Sequence, residues 1–268
     1  ARGEIGTVSQ DIAAPWIRVS YEMGAGLNYS WFVALADGSY ALIDPGLAAP
    51  FLNEIETRGL RVSAILLTHK HKDHIAGLAE VQAATGAKAW GPSEITDQGV
   101  RHLQGGQQLT IGGSQLKVLD VAGHTKGHLA FYWPELKLVA VGDALFALGC
   151  GRLFEGSAET AWAGLLRLCA LPDDTAILCG HEYSLDNANF ALSLDRESVA
   201  LTRRAQRIEA LRARGEATVP YLLAEDKASN PFLLYDKPRL AAAVGMAEDC
   251  TDTELFAAIR RAKDSFRA

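Results

Sequence analysis

Residues 66 to 77 read LLTHKHKDHIAG, and inside them His69, His71, Asp73 and His74 set four metal-ligand side chains in six positions. The whole chain has seven histidines, so three in one short loop call for a chemical reason. In an extended segment, side chains two apart project to one side, which lets His69 and His71 reach one ion. Asp73 and His74 fall where helical spacing begins, continued by Ile75, Leu78 and Ala79 as far as a stop at Gly86, so the second pair is aimed elsewhere. The spacing predicts two half-sites for metal, each needing ligands from further along the chain.

Four apolar runs end in a ligand-type residue at the brink of a loop: AILLTH at His69, KVLDVAGH at His124, LVAVGD at Asp143 and AILCGH at His181. Ligands gathered from strand ends converge at one edge of a sheet. With His71 and His74, these positions use five of the seven histidines and leave only His102 and His128. Two divalent ions with such ligands leave a net positive site, able to generate hydroxide at neutral pH and to polarise a carbonyl. His128 and Asp44, close to the motifs, read as residues that support ligands or shape turns.

The elements that must position these residues are short β-type runs through the first two thirds of the chain, from WIRVSYE to TAILCGH, separated by turn signals such as ADGS and LPDD. Helical patterns intervene at 47–59, 74–85 and 158–170. From about residue 185 the texture becomes helical, with ESVALTRRAQRIEALRARG ending at Gly215 and TDTELFAAIRRAKDSF opening on a capping box from Thr251 to Glu254. PYLLAEDKASNPFLL between them reads as a connecting loop. This pattern predicts an α/β catalytic domain over 1–184 and a helical domain over 185–268.

A formal net charge of -6 argues against a nucleic-acid partner. The charge is uneven: residues 185–268 hold 13 of the 26 Lys and Arg, balanced by 13 acidic residues, while the rest carries 13 basic and 19 acidic ones. No apolar run approaches the ~18 to 20 residues of a membrane span. The opening ARGEIGTVSQ shows no secretion signal, and Cys150, Cys169, Cys179 and Cys250 lack metal-type pairing, so reduced thiols and a cytoplasmic location are expected.

THKHKDH at 68–74, GHT at 123–125, GD at 142–143 and CGH at 179–181 resemble the metallo-β-lactamase superfamily. GCGRLFEG at 149–156, CGHEY at 179–183, NPF at 230–232 and IRRAKDSF at 259–266 narrow the resemblance to the glyoxalase II, or hydroxyacylglutathione hydrolase, family. The resemblance implies an αββα sandwich followed by a smaller C-terminal helical domain. It also implies a dinuclear thioesterase: His69, His71 and His124 hold one ion, Asp73, His74 and His181 the other, and Asp143 bridges them. Asp73 would orient the attacking hydroxide. Arg152, Tyr183, Arg260 and Lys263 match positions that hold glutathione, and Arg260 and Lys263, three apart, share a helix face. On spacing alone that pair could equally complement a helix dipole.

The implied substrate is an S-(2-hydroxyacyl)glutathione such as S-D-lactoylglutathione, cleaved to glutathione and D-lactate in methylglyoxal detoxification by a monomeric enzyme. Zinc is the expected metal, although His and carboxylate ligands also accept iron or manganese. Ala122, Ala144 and Leu234 depart from residues common in the family, and Phe154 stands where some members have tyrosine. Rival readings are a persulfide dioxygenase or another thioesterase of the same fold, and a metal-binding protein without catalysis.

Overall fold

The structure, a computed structural model, describes residues 14–267 apart from 25 and 98. The ARGEIGTVSQ segment lies outside the described residues. The chain divides into two compact units, the first made of Ala1–Asp120, Gly127–Gly142 and Leu178–His181, the second of Val121–Lys126, Asp143–Ile177 and Glu182–Ala268.

In the first unit, β1 (Trp16–Met23), β2 (Gly26–Ala34) and β3 (Tyr40–Ile43) form an antiparallel meander. β4 (Val62–Leu66), β5 (Lys88–Pro92) and β6 (Val100–Leu103) then add in parallel, giving a sheet in the order β1-β2-β3-β4-β5-β6. Parallel strands send their carboxyl ends to one edge, which is how Asp44 after β3 and Thr68 after β4 come to meet. β6 was not anticipated, because its exposed Arg101 and His102 hide the apolar alternation of a strand. Helices α1 (Ala48–Arg58), α2 (Lys72–Ile75) and α3 (Leu78–Thr85) connect these strands. Phe51 of α1 and Leu78 and Val81 of α3 pack with Phe32, Leu42 and Ile65 of the sheet. Each such burial is worth about 1.5–3 kcal/mol relative to exposure.

The single helix expected over 74–85 is two pieces. Gly77 donates its N–H to Pro45 O at 2.8 Å, and a Cβ on it would lie 2.5 Å from the Ala48 nitrogen. The chain must pass Pro45–Ala48 at backbone distance there, and that contact interrupts the helix at the glycine. An antiparallel set follows, in the order β10-β9-β8-β7, from β7 (Gln108–Ile111), β8 (Ser114–Asp120), β9 (Leu129–Trp133) and β10 (Leu138–Gly142). Trp31 Nε1 donates to Cys179 O at 3.1 Å, tying the first sheet to the last residue of β13 (Ala176–Cys179), the strand beside β10.

The second unit contains a minimal hairpin, β11 (Leu145–Phe146) with β12 (Gly149–Cys150), then α4 (Ala158–Cys169), the start of β13 paired with β14 (Tyr221–Leu222), and the helices α5 (Ser184–Leu194) and α6 (Val199–Ala213). α7 (Leu223–Ser229), α8 (Lys237–Ala243) and α9 (Asp252–Ser265) complete it. α9 begins with the capping box read from Thr251 and Glu254. The stretch read as a connecting loop instead forms β14, α7 and a 3-10 turn over Pro231–Leu233. Its first turn is set by Glu225, which accepts the Leu222 N–H at 3.0 Å, and Asp226 is drawn inward by Arg204.

Candidate metal centre

Five expected ligands lie in the first unit: His69, His71, Asp73, His74 and His181. Their orientation starts from Asp44, which has φ 52 and is buried, and which was read from the sequence as a supporting or turn residue. Asp44 Oδ1 accepts the Thr68 N–H at 2.7 Å; Oδ2 accepts the Thr68 hydroxyl at 2.6 Å and lies 2.9 Å from His74 Nδ1. A carboxylate cannot donate, so His74 carries its proton on Nδ1 and its lone pair on Nε2. Thr68 has only one hydroxyl proton, already given to Asp44. Its 3.0 Å contact with His69 Nδ1 therefore takes the proton from the ring, and the His69 lone pair also sits on Nε2. One carboxylate thus sets the tautomer of two imidazoles. Although Asp44, His69 and His74 form a close ligand-type group, the hydrogen bonds already made to Oδ2 mark Asp44 as a support.

His69 Nε2 lies 3.2 Å from His71 Nδ1, and the His69 ring stacks on His128 with centroids 4.5 Å apart. On the other side of the motif, Asp73 Oδ2 lies 3.3 Å from His181 Nε2 and 3.7 Å from His74 Nε2, while Asn28 Nδ2 donates to it at 3.0 Å. Tyr21 donates to the Asp73 carbonyl at 3.0 Å, and burial pushes its phenol well above the ordinary range, so it remains a donor. His181 follows β13 and is fixed by an antiparallel bridge to Asn28.

The other two expected ligands, His124 and Asp143, lie in the second unit, both buried. His124 Nδ1 is 2.8 Å from Arg152 O, and because a carbonyl only accepts, the proton is on Nδ1. Its Nε2 lone pair is 3.5 Å from Asp143 Oδ2. In each unit, imidazole nitrogens and carboxylate oxygens are turned toward one another, His74 and His181 toward Asp73 and His124 toward Asp143, and His with Asp suits a divalent ion. The donor sets fit divalent metal.

The expected substrate-binding residues all fall in the second unit. Arg152 is exposed, its Nε 3.7 Å from Asp264 Oδ1. Tyr183 caps α5 and packs edge-on against Phe146 with centroids 5.1 Å apart. Arg260 is buried: Nη1 donates to Cys150 O at 2.8 Å, Nη2 to Asp264 Oδ1 at 2.8 Å, and the guanidinium lies over the Phe232 ring. Lys263 Nζ donates to Asp186 O at 3.1 Å between the Phe190 and Phe266 rings, and burial lowers its pKa.

Sequence reasoning missed Thr68, Asn28, Tyr21 and Glu94. Glu94 accepts the Lys70 N–H at 3.3 Å and the Gly127 N–H at 2.9 Å, holding the loops that carry His71 and His128. Only the position of Thr68 just before the first histidine could have drawn notice.

Residues 23–181 match the model of the metallo-beta-lactamase superfamily, and residues 182–266 match that of the hydroxyacylglutathione hydrolase C-terminus. A hydroxyacylglutathione hydrolase of Methylococcus capsulatus is 44% identical over 238 residues, covering 86% of this chain and 91% of its own. One from Cereibacter sphaeroides is 45% identical over 243 residues, covering 89% and 95%. Among solved structures, ETHE1 from Myxococcus xanthus is similar with a TM-score of 0.62 at 22% identity, covering 92% of this chain and 97% of that one, a likeness of fold. TTHA1623 in a di-iron-bound form is 31% identical with a TM-score of 0.52, covering 60% of this chain and 91% of its own. The fold is thus an α/β metallo-β-lactamase domain with a smaller C-terminal helical domain. On both its catalytic part and its C-terminal extension, the chain belongs to the hydroxyacylglutathione hydrolase family of the metallo-β-lactamase superfamily.

Proposed function

We propose that this protein hydrolyses S-(2-hydroxyacyl)glutathione, foremost S-D-lactoylglutathione, to glutathione and a 2-hydroxy acid, here D-lactate, as a step of methylglyoxal detoxification. The observation that carries this reading is the likeness along nearly the whole chain to curated hydroxyacylglutathione hydrolases at 44% and 45% identity. The four cysteines are free thiols, which suits a reducing cytoplasm.

In this reading His69, His71 and His124 would hold one ion and Asp73, His74 and His181 a second, with Asp143 a candidate ligand for both. Zinc is the metal of choice for such a set. Divalent metal bound by these residues would supply hydroxide at neutral pH and polarise the thioester carbonyl. The protein's own groups do the rest. Asp44 and the Arg152 carbonyl hold the imidazole tautomers, and Asn28 steadies the Asp73 carboxylate that orients the attacking oxygen and takes up its proton. The C–S bond breaks with the electron pair leaving on sulfur; a thiol pKa near 8.5 makes that thiolate a good enough leaving group without a strong general acid. Arg152, Tyr183, Arg260 and Lys263 hold the glutathione carboxylates and backbone.

Elemental analysis of the purified protein together with a thiol-release assay on S-D-lactoylglutathione tests the proposal. Two ions per chain and turnover that falls sharply on thioesters lacking the glutathione carboxylates are expected. A fully metallated sample that releases no thiol would overturn it.

A further inference from the structure

The β11–β12 hairpin has almost no sheet of its own, pairing only Leu145 with Cys150 and Phe146 with Gly149. A hairpin that short does not hold its shape in water unaided. Here side chains from later in the chain take its backbone groups one after another. Asn230 Nδ2 donates to Phe146 O at 3.3 Å and to Gly149 O at 3.1 Å; Asn187 Nδ2 donates to Ala147 O at 3.1 Å. Asp226 Oδ1 accepts the Leu148 N–H at 3.1 Å, and Arg260 reaches Cys150 O as described. All four clamping residues are buried.

The clamp is itself braced. Asp226 is gripped by Arg204 Nη1 at 2.5 Å and by the Tyr221 hydroxyl at 2.9 Å. Leu148, at the turn, has φ 58, a left-handed conformation uncommon for leucine. That conformation accompanies a fully buried side chain packed with Ala188, Ala191, Leu201, Ala205 and Ile208 of α5 and α6.

The hairpin leads out of Asp143 and into Gly151 and Arg152. Gly151 packs on both neighbouring ligands: a Cβ there would lie 2.1 Å from the Asp143 carbonyl oxygen and 2.9 Å from His124 Nδ1. The next residue supplies the carbonyl that accepts the His124 Nδ1–H. We propose that Asn187, Asp226 and Asn230 are positioning residues for metal binding, which act through the hairpin backbone to place Asp143 and to keep the His124 lone pair on Nε2. The C-terminal helices on this view build part of the ligand set in addition to any grip on substrate. The inference rests on His124 and Asp143 being ligands and does not depend on which thioester is cleaved.

The test uses the full-length chain with Asn187→Ala and Asn230→Ala, and Val81→Ala as a control that loses packing in the first unit's core. Zn²⁺ affinity is read by competition with a chromophoric chelator, unfolding midpoints are recorded without metal, and the His124 tautomer is read from imidazole ¹⁵N shifts. The expected result is Zn²⁺ binding weakened about tenfold to hundredfold in both asparagine variants, the range for outer supports of a metal site. His124 should then show a mixed tautomer, while Val81→Ala loses stability and keeps both affinity and tautomer. Asn187→Ala removes a single hydrogen bond and keeps the test readable if Asn230→Ala does not fold. Unchanged Zn²⁺ affinity in the asparagine variants, or equal weakening in all three proteins, would overturn the proposal. A parent protein that binds Zn²⁺ but releases no thiol would sink the reaction proposed above and leave this inference standing.

Discussion

The two units prepare their histidines by opposite means. In the first, four ligand-type residues crowd into six positions, and a side chain, Asp44, fixes the protons of His74 and, through Thr68, of His69. In the second, His124 and Asp143 are well separated in sequence, and a main-chain carbonyl, that of Arg152, fixes the proton of His124. A side-chain support can be lost by one substitution. A carbonyl can be misplaced only by moving the backbone that carries it, which is why so many buried side chains converge on the hairpin before it.

The largest effect expected is that of Asp143→Ala, which removes a proposed ligand of both ions: metal content falls and thioester hydrolysis is nearly abolished. Two tightly held ions with intact turnover would show that Asp143 is not shared. Next, Asp44→Asn keeps a residue that tolerates φ 52 but removes the charge that orders two imidazoles, and metal affinity should drop about tenfold to hundredfold. Its counterpart, Arg152→Ala, leaves the carbonyl in place and should leave metal affinity unchanged while raising KM; chelator competition on the two variants breaks the comparison if both fall alike.

A smaller effect separates the two cationic residues of α9. Arg260→Ala removes a buried donor to Cys150 O and an ion pair to Asp264, and should cost about 1 to 3 kcal/mol of stability in addition to any effect on KM. Lys263→Ala should raise KM about tenfold with kcat and unfolding midpoint little changed. Burial lowers the Lys263 pKa, so its cationic form, present below that pKa, is lost as pH rises through it; KM for a carboxylate-bearing substrate should climb at a lower pH than for an ordinary lysine. Smallest is Glu94→Gln, which keeps one carbonyl acceptor for the Lys70 and Gly127 amides and should cost about 1 kcal/mol or less, measured by denaturant titration.

The first unit's ligand-type residues stood out because density itself is a signal: histidines two apart in an extended loop, then an aspartate and histidine at a helix start. His124, Asp143 and His181 stood out because each closes an apolar run of the sequence. Asn28 carried no such mark, since an asparagine within a strand has many uses; Thr68 stood just before the first histidine, but only the parallel pairing of β3 with β4 brings it to Asp44. Asp226 was hidden in a polar stretch read as loop. A charged residue buried by an arginine from another helix has the same local sequence as one facing water, so its role in α7 was legible only in tertiary structure. Arg260 shows the same limit: spacing placed it on a face with Lys263, but could not show that its guanidinium is buried against Cys150 O.

The crowding of His69, His71, Asp73 and His74 has a consequence for the denatured protein. Side chains so close in sequence remain near one another when the fold is lost, so the random chain is itself a weak chelator, whereas His124, Asp143 and His181 scatter. Metal that binds the unfolded chain subtracts from the stabilisation it gives the native one. Raising the free metal concentration should therefore lift the unfolding midpoint steeply at first, then level off once the denatured chains also load.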